Sequence, residues 1–423
     1  MPQNPPSRGS MFAAHAQYVP AFYQQTLTPG PEVQSRITHF QESMRSSGLS
    51  AALMAQNIHI FYLTGTMQSG FLFVPAAGDP VLLVKNDLAR ARFESPLRNV
   101  ASLPAIRELP ERIEHFGYRI PSVLGMELDF LPVGTHRFLS SLLEVGESRD
   151  VSGLMRQIRA VKSAYEITQM RRAGRLGALV FQAVPRALIR PRITEIGLAG
   201  HLCQRAMELG SQVILRGRGM NTEFSWQVLS GANGAVQGHH DAPLTGLGLS
   251  PAWPADSSLK VIQENEPVMI DFGTCVNGYQ ADQTRTFARG EPAREFIRAH
   301  QALKRIEAAL IDRMVPGTAC QSLYEIAWEE ARKAGFESVF LGPPDHKAKF
   351  VGHGVGLEAN ELPVLAAKQA YPLEAGMTVA LELKMVFEKG AVGLENTLWI
   401  SEHTIEKLTS AEESLTVVPS STA

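Results

Sequence analysis

The spacing of apolar residues changes character along the chain. In "EVQSRITHFQESMRSSG" (32–48) they recur at helical intervals and Gly48 supplies a C-cap, so a helix is expected. "AALMAQ", "HIFYLTG", "GFLFVPAAGDPVLLVK" and "SVLGME" then read as short strands punctuated by turn residues. This alternation describes an α/β domain over residues 31–155, preceded by an N-terminal arm of residues 1–30 that is rich in Pro, Gln and Ser. From about residue 164 the pattern becomes α+β. Helices are expected at 164–187, 193–209, 293–314 and 319–334, with β-hairpins among them, in a second domain over 156–415. Residues 416–423 are expected to fray as a C-terminal tail.

Composition narrows the class without naming a chemistry. A chain of 423 residues, 44% hydrophobic and 19% charged, can bury two sizeable cores. Its formal net charge of −2 argues against nucleic acid or an anionic membrane as partner. Three cysteines in unrelated contexts suggest a reducing, cytoplasmic setting rather than a disulfide framework. The N-terminus lacks the basic start and apolar stretch of a secretory signal, and no apolar run is long enough for a transmembrane helix.

Two hairpins carry the chemical signal. "VMIDFGTCVNGYQADQTRTF" (268–287) is apolar and β-prone, yet holds Asp271 and Asp282 with no lysine nearby in sequence. Asn277-Gly278 demands a tight turn in which both residues take positive φ. That turn sets Gly273 opposite Asp282 and leaves Asp271 diagonal to Asp282 on the same face, at roughly 7–8 Å between Cα atoms. Buried carboxylates without a partner are costly, so a cation between them is expected. "MTVALELKMVFEKGAVGLENTLWI" (377–400) repeats the device. With Lys389-Gly390 as its turn, Lys384 faces Glu395, and Glu382 lies diagonal to Glu395. Four carboxylates with one nitrogen donor suit two divalent cations. The nitrogen is expected from His353 in "KFVGHGVGLEANELP", whose flanking glycines let backbone approach closely.

Asp271, Asp282, His353, Glu382 and Glu395, in this order and in these contexts, resemble the metal ligands of the superfamily of methionine aminopeptidase, aminopeptidase P, prolidase and creatinase. "GYQADQTRTF" and "VGHGVGLE" add to the match, and "HIFYLTG", "LGMELDFLP" and "RAVKSAYEITQMRRAG" are similar to the N-terminal domain and linker of the prolidase and aminopeptidase P branch. The resemblance implies an α+β pita-bread catalytic domain behind a smaller creatinase-like α/β domain. It implies that Asp271 chelates one ion, that His353 and Glu382 bind the other, and that Asp282 and Glu395 bridge both. Creatinase itself is a poorer fit, because it works without metal.

The implied activity is hydrolysis of Xaa-Pro bonds by a water shared between two divalent ions, Mn²⁺ foremost and Co²⁺, Fe²⁺ or Zn²⁺ as alternatives. Glu382 would take the proton from that water. The substrate would be a small peptide and the assembly a homodimer. "SGANGAVQGHHDAP" resembles the stretch that carries a substrate-facing histidine, a role open to His239 or His240, although two solvated histidines in a polar loop fit the same residues. The peptidases carry a second catalytic histidine seven residues after the metal His, where this chain has Asn360. An amide can donate a hydrogen bond but cannot carry a proton. The alternative is therefore a non-peptidase enzyme on the same scaffold, such as a lyase acting on a small zwitterion like dimethylsulfoniopropionate. A silent binding module is a third reading, to which the intact ligand set runs counter. The resemblance gives Arg285 a supporting role toward a metal-binding carboxylate. Cys275 shares the face of Asp271, either as a soft neighbour of the metals or as a small packed residue. Arg216 or Arg218 suits a substrate carboxylate or an ordinary cationic loop.

Overall fold

The computed structural model describes residues 21–219, 225–238 and 242–420. The chain divides between Ile158 and Arg159 into two units. In the first, helix α1 (Gly30–Ser46) is followed by strand β1 (Ala51–Met54), helix α2 (Asn57–Thr64), β2 (Gly70–Pro75), β3 (Val81–Val84), β4 (Asn99–Ser102), β5 (Val123–Met126) and β6 (Glu147–Asp150), with shorter helices between. The strands form one mixed sheet in the order β4-β3-β2-β1-β5-β6. Its core includes Leu53, Phe73, Leu83, Leu124 and Met126. The end of the arm is ordered: Tyr23 Oη donates to Glu94 at 2.6 Å.

"HIFYLTG", expected as a strand, is helix α2 instead. A short apolar run has no periodicity that separates a strand from a helix buried on most sides. Here Ile58, His59, Ile60, Tyr62, Leu63 and Thr64 are all buried, and Gly65 ends the helix at a φ of 75°. Glu127 fixes the helix start by accepting from the backbone N–H of Ala55 and Gln56 and by pairing with His59.

The second unit holds two sheets. A four-stranded sheet, in the order β15-β9-β8-β7, combines β7 (Gln227–Ser230), β8 (Pro267–Val276), β9 (Tyr279–Arg289) and β15 (Thr416–Val418). A five-stranded sheet, in the order β11-β10-β12-β13-β14, combines β10 (Phe350–Gly354), β11 (Glu361–Ala366), β12 (Thr378–Phe387), β13 (Gly390–Ile400) and β14 (Ile405–Lys407). Helices α3 (Ala164–Phe181) and α4 (Glu195–Glu208) pack with Val268, Ile270 and Phe272 of β8. Helices α5 (Arg294–Ile311) and α6 (Cys320–Lys333) pack with Val379, Leu381, Leu383 and Met385 of β12. Because side chains alternate along a strand, this apolar packing turns Asp271 and Glu382 to the opposite, inner faces.

The stretch expected to fray does not do so throughout. Thr416–Val418 runs parallel to β9, with Val418 buried, because Val418 packs into the core beside Val268, Ile270 and Phe287. Among the described residues no helix is long and apolar enough to cross a membrane.

Candidate metal centre

The first hairpin folds as its turn requires. Asn277 and Gly278 take φ values of 51° and 84°, and Gly273 pairs with Asp282 while Asp271 pairs with Thr284. The second hairpin turns one residue earlier than expected, which shifts its cross-strand pairing by two. Its loop is Glu388-Lys389, Phe387 pairs with Gly390, and Glu382 stands directly opposite Glu395, with Lys384 opposite Gly393. Gly390 belongs to the strand because Pro267 packs against its Cα, where a Cβ would meet the Pro267 Cγ at 2.6 Å. The shift is even, so every side chain keeps its face, and the carboxylates survive the change of register.

The hairpins are joined where β9 meets β13. Asp282 N–H donates to Thr397 Oγ1 at 2.8 Å, and that hydroxyl donates to the Asp282 carbonyl at 2.9 Å. Thr284 Oγ1 donates to Glu395 Oε2 at 2.7 Å. His353 enters on β10, beside β12, paired with Ala380. The close approach of β11 explains Gly354, where a Cβ would lie 2.1 Å from the Leu362 carbonyl oxygen.

These elements gather all five expected ligands. Asp282, His353 and Glu395 form one trio, and Asp271, Glu382 and Glu395 another; within each, the ligand atoms lie within 4.8 Å of one another. Glu395 is common to both, whereas Glu382 groups with Asp271 rather than His353, its Oε2 standing 3.6 Å from His353 Nε2. The imidazole is oriented for ligation. Its Nδ1 lies 3.1 Å from the Gly354 carbonyl, which can only accept, so Nδ1 is the donor there and Nε2 is turned toward the acids.

Lys384 is the residue that sequence reasoning did not assign. Its Nζ donates to Asp271 Oδ2 and Glu382 Oε1, each at 2.6 Å, and lies 3.6 Å from Glu395 Oε2. The signal was present, since residues two apart on a strand share a face and Glu382 was already placed. The expectation that Asp271 has no lysine to pair with is corrected here, because the partner comes from the other hairpin.

The protonation of the cluster records its excess of negative charge. Burial, and then repulsion from Asp271, push the Asp282 carboxyl up to about 7. Burial and Asp282 likewise raise Glu395 well above the usual carboxylate range. For Glu382 burial also acts upward, but Lys384 and His353 outweigh it and hold the group below its ordinary value. Burial would lower Lys384, but Asp271, Glu382 and Glu395 overcome it and keep the ammonium charged. Carboxylate oxygens and one free imidazole nitrogen, short of positive charge, fit hard divalent cations.

The surrounding residues refine other expectations. Arg285, 1% exposed, donates to the Glu395 carbonyl and to Asn396 Oδ1, each at 2.7 Å, so it braces the backbone of β13 and not a carboxylate. Burial pushes the Cys275 thiol up to about 11, as for a packed side chain. Asn360, at the position of the peptidases' second catalytic histidine, has its amide engaged elsewhere: Nδ2 donates to the Arg218 carbonyl and Oδ1 accepts from Arg218 N–H, both at 2.7 Å. Arg218 Nη1 lies 3.7 Å from Glu358, and the Leu215 side chain occupies the space beside Gly273. His239 and His240 lie outside the described residues.

Comparison with known proteins agrees with this geometry. Residues 168–402 match the metallopeptidase family M24, and residues 36–161 match the Creatinase/Prolidase N-terminal domain. An Xaa-Pro dipeptidase of Lactobacillus delbrueckii subsp. lactis is 29% identical over 235 residues, 56% of this chain and 55% of its own length. An Xaa-Pro dipeptidase of Pyrococcus furiosus is 23% identical over 390 residues, which cover 90% of this chain and 100% of that protein. The solved Xaa-Pro dipeptidase from Bacillus anthracis shares the fold, with a TM-score of 0.76 at 21% identity over 91% of this chain and 100% of its own. With more than half of its length matched, and two carboxylate-bearing hairpins meeting as described, the chain belongs to metallopeptidase family M24.

Proposed function

We propose that this enzyme hydrolyses Xaa-Pro bonds in short peptides, using two divalent ions held by Asp271, Asp282, His353, Glu382 and Glu395. The observation that carries the reading is the convergence of all five side chains from three strands of one sheet and a hairpin of the other. Bound there, the ions supply Lewis acidity and bring the pKa of water toward neutrality. The oxygen-rich donor set favours Mn²⁺, with Co²⁺, Fe²⁺ or Zn²⁺ as alternatives. Glu382 is the proposed base. Lys384 occupies its Oε1 at 2.6 Å, which leaves Oε2 to take a proton from the attacking water. His239 or His240 would face the substrate. The Asn360 clamp on Arg218 makes Asn360 a positioning residue for the 211–219 segment in this reading. A cytoplasmic homodimer is the proposed setting, in keeping with three free cysteines.

One observation favours a second reading. With Asn360 in place of the histidine of the peptidases, and its amide committed to backbone, that donor to a tetrahedral intermediate is missing. A lyase acting on a small zwitterion such as dimethylsulfoniopropionate would not need it. Assaying the Mn²⁺-loaded protein on Xaa-Pro dipeptides beside small zwitterions separates the two. Peptide cleavage lost on chelation and restored by Mn²⁺ is the expected result; turnover of the zwitterion alone overturns the peptidase reading.

A further inference from the structure

The second unit carries its charge unevenly. Residues 167–194 include six arginines and no acidic residue, although the whole chain has a formal net charge of −2. Arg171 is paired with Glu406. Arg186, Arg190 and Arg192 sit where the chain turns from a short helix (Val184–Leu188) into α4. All three are exposed, and among the described residues no carboxylate pairs with them. The nearest acid that follows, Glu195, is 0% exposed and accepts from Ser230, Asn233 and Ser258, so it gives the arginines no counter-charge at the surface. The turn is ordered. Arg190 N–H donates to the Ala187 carbonyl at 3.2 Å, Ile193 N–H to the Arg190 carbonyl at 3.4 Å, and Ile262 N–H to the Ile193 carbonyl at 2.9 Å. Arg190 Nη1 also lies 3.2 Å from Nδ1 of His201 on α4. Ile189, 43% exposed, stands among the arginines. Residues 182–205 contain no Phe, Tyr or Trp, so this surface offers no ring on which a nucleic-acid base could stack.

We propose that this turn docks on an anionic membrane surface, with Arg186, Arg190 and Arg192 on the lipid phosphates and Ile189 entering the headgroup layer. Charge complementarity and an exposed aliphatic side chain together carry the choice: arginines gain near an anionic bilayer, and an apolar residue between them gains by leaving water. The slightly negative charge of the whole chain does not oppose this. At physiological ionic strength the Debye length is about 8 Å, so a headgroup at the turn senses these arginines and little of the distant acids. Because the turn is already ordered, docking needs little further loss of chain freedom. None of these residues belongs to the metal centre, and the inference does not depend on the peptidase reading.

The test is co-flotation of the purified protein with vesicles. Binding to vesicles of phosphatidylglycerol and phosphatidylcholine in equal parts is expected, with none to phosphatidylcholine alone. Salt at ~1 M, where the Debye length falls to about 3 Å, should release the protein. Each arginine near an anionic surface is worth about fivefold in partitioning, so the triple variant R186Q/R190Q/R192Q should bind roughly 10²-fold more weakly. The triple lysine variant keeps the charge and should stay bound. Ile189→Ser should weaken vesicle binding about tenfold through lost apolar burial. A wild type that ignores anionic vesicles overturns the proposal, and because that measurement stands alone, a variant that fails to fold does not protect the idea. Undiminished binding by the folded triple glutamine variant overturns it as well. Binding of single-stranded RNA without vesicle binding assigns the surface to nucleic acid instead. Salt-sensitive self-association without vesicle binding, lost in the triple glutamine variant, assigns it to a second copy of the chain; both results overturn the membrane reading.

Discussion

Arg159 and Lys162 meet Glu358 and Glu361 in a buried network within the second unit, whereas among the described residues Lys384 is the one lysine or arginine paired with Asp271, Glu382 and Glu395. In the network, Arg159 Nη1 lies 2.8 Å from Glu358, its Nη2 pairs with Glu361, and Lys162 Nζ lies 3.0 Å from Glu361. Burial would raise Glu361, yet Arg159 and Lys162 bring it down to about 2. In the acid cluster burial wins, and Asp282 rises to about 7. Both groups gather carboxylates within the second unit, with Glu358 and Glu361 buried in one and Glu382 and Glu395 in the other. What separates them is the number of cations the chain itself provides. A balanced network fixes the loop after His353, while an unbalanced cluster is short of positive charge that an ion from solution can supply.

Removing the proposed base should have the largest effect on the unbalanced side. Glu382→Ala is expected to lower peptide turnover by at least ~10²–10⁴-fold, with circular dichroism unchanged. Full activity in the folded variant places the base elsewhere. On the balanced side the same kind of deletion should cost stability instead. Arg159→Met takes one buried cation from both Glu358 and Glu361, and chemical denaturation should register a loss of about 3–5 kcal/mol. A change near zero would mean that the remaining partners, Lys162 and Arg218 among them, suffice.

The pH dependence of stability separates the clusters by sign. Asp282 has its folded pKa raised from an ordinary 3.8 to about 7, so its contribution is present below the unfolded value and is lost as pH rises through about 7. Glu361 is lowered from 4.5 to about 2, so its contribution is present above 4.5 and is lost as pH falls through about 2. Metal-stripped protein should therefore lose stability between about pH 4 and 7 from Asp282, on the order of 4 kcal/mol at most. Mn²⁺ should cancel that loss by favouring the ionised carboxylate. Thermal unfolding with and without Mn²⁺ across this range checks it; parallel curves would show that the acids do not sense the ion.

A smaller effect is expected at the edge of the network. Asn360→Ala leaves the Arg218 N–H and carbonyl without their amide partner, a penalty of about 1–3 kcal/mol felt locally. Hydrogen exchange should accelerate in residues 211–219 while the Glu358–Glu361 region keeps its protection. Uniform acceleration would mean that Asn360 supports the whole unit.

Much of the centre could be read before any coordinates, because its rules are local. Positive φ at Asn277 and Gly278 sets one register, and strand alternation assigns Asp271 and Asp282 to a shared face. The same alternation protected the second hairpin. Its turn lies at Glu388-Lys389, but a slip of two residues leaves Glu382, Lys384 and Glu395 on the face where they were expected. Folding in three dimensions decided what depends on neighbours distant in sequence. "HIFYLTG" is a helix because Glu127, about seventy residues on, caps its start and its apolar side chains are buried on nearly every side. Asn360 belongs to Arg218 because a segment 142 residues earlier passes within hydrogen-bonding reach. Lys384 reaches Asp271 across 113 positions, so the local pattern that puts it beside Glu382 does not reveal that it also meets the acids of the other hairpin. Periodicity assigns a side chain to a face; which partner that face meets depends on how the sheets pack.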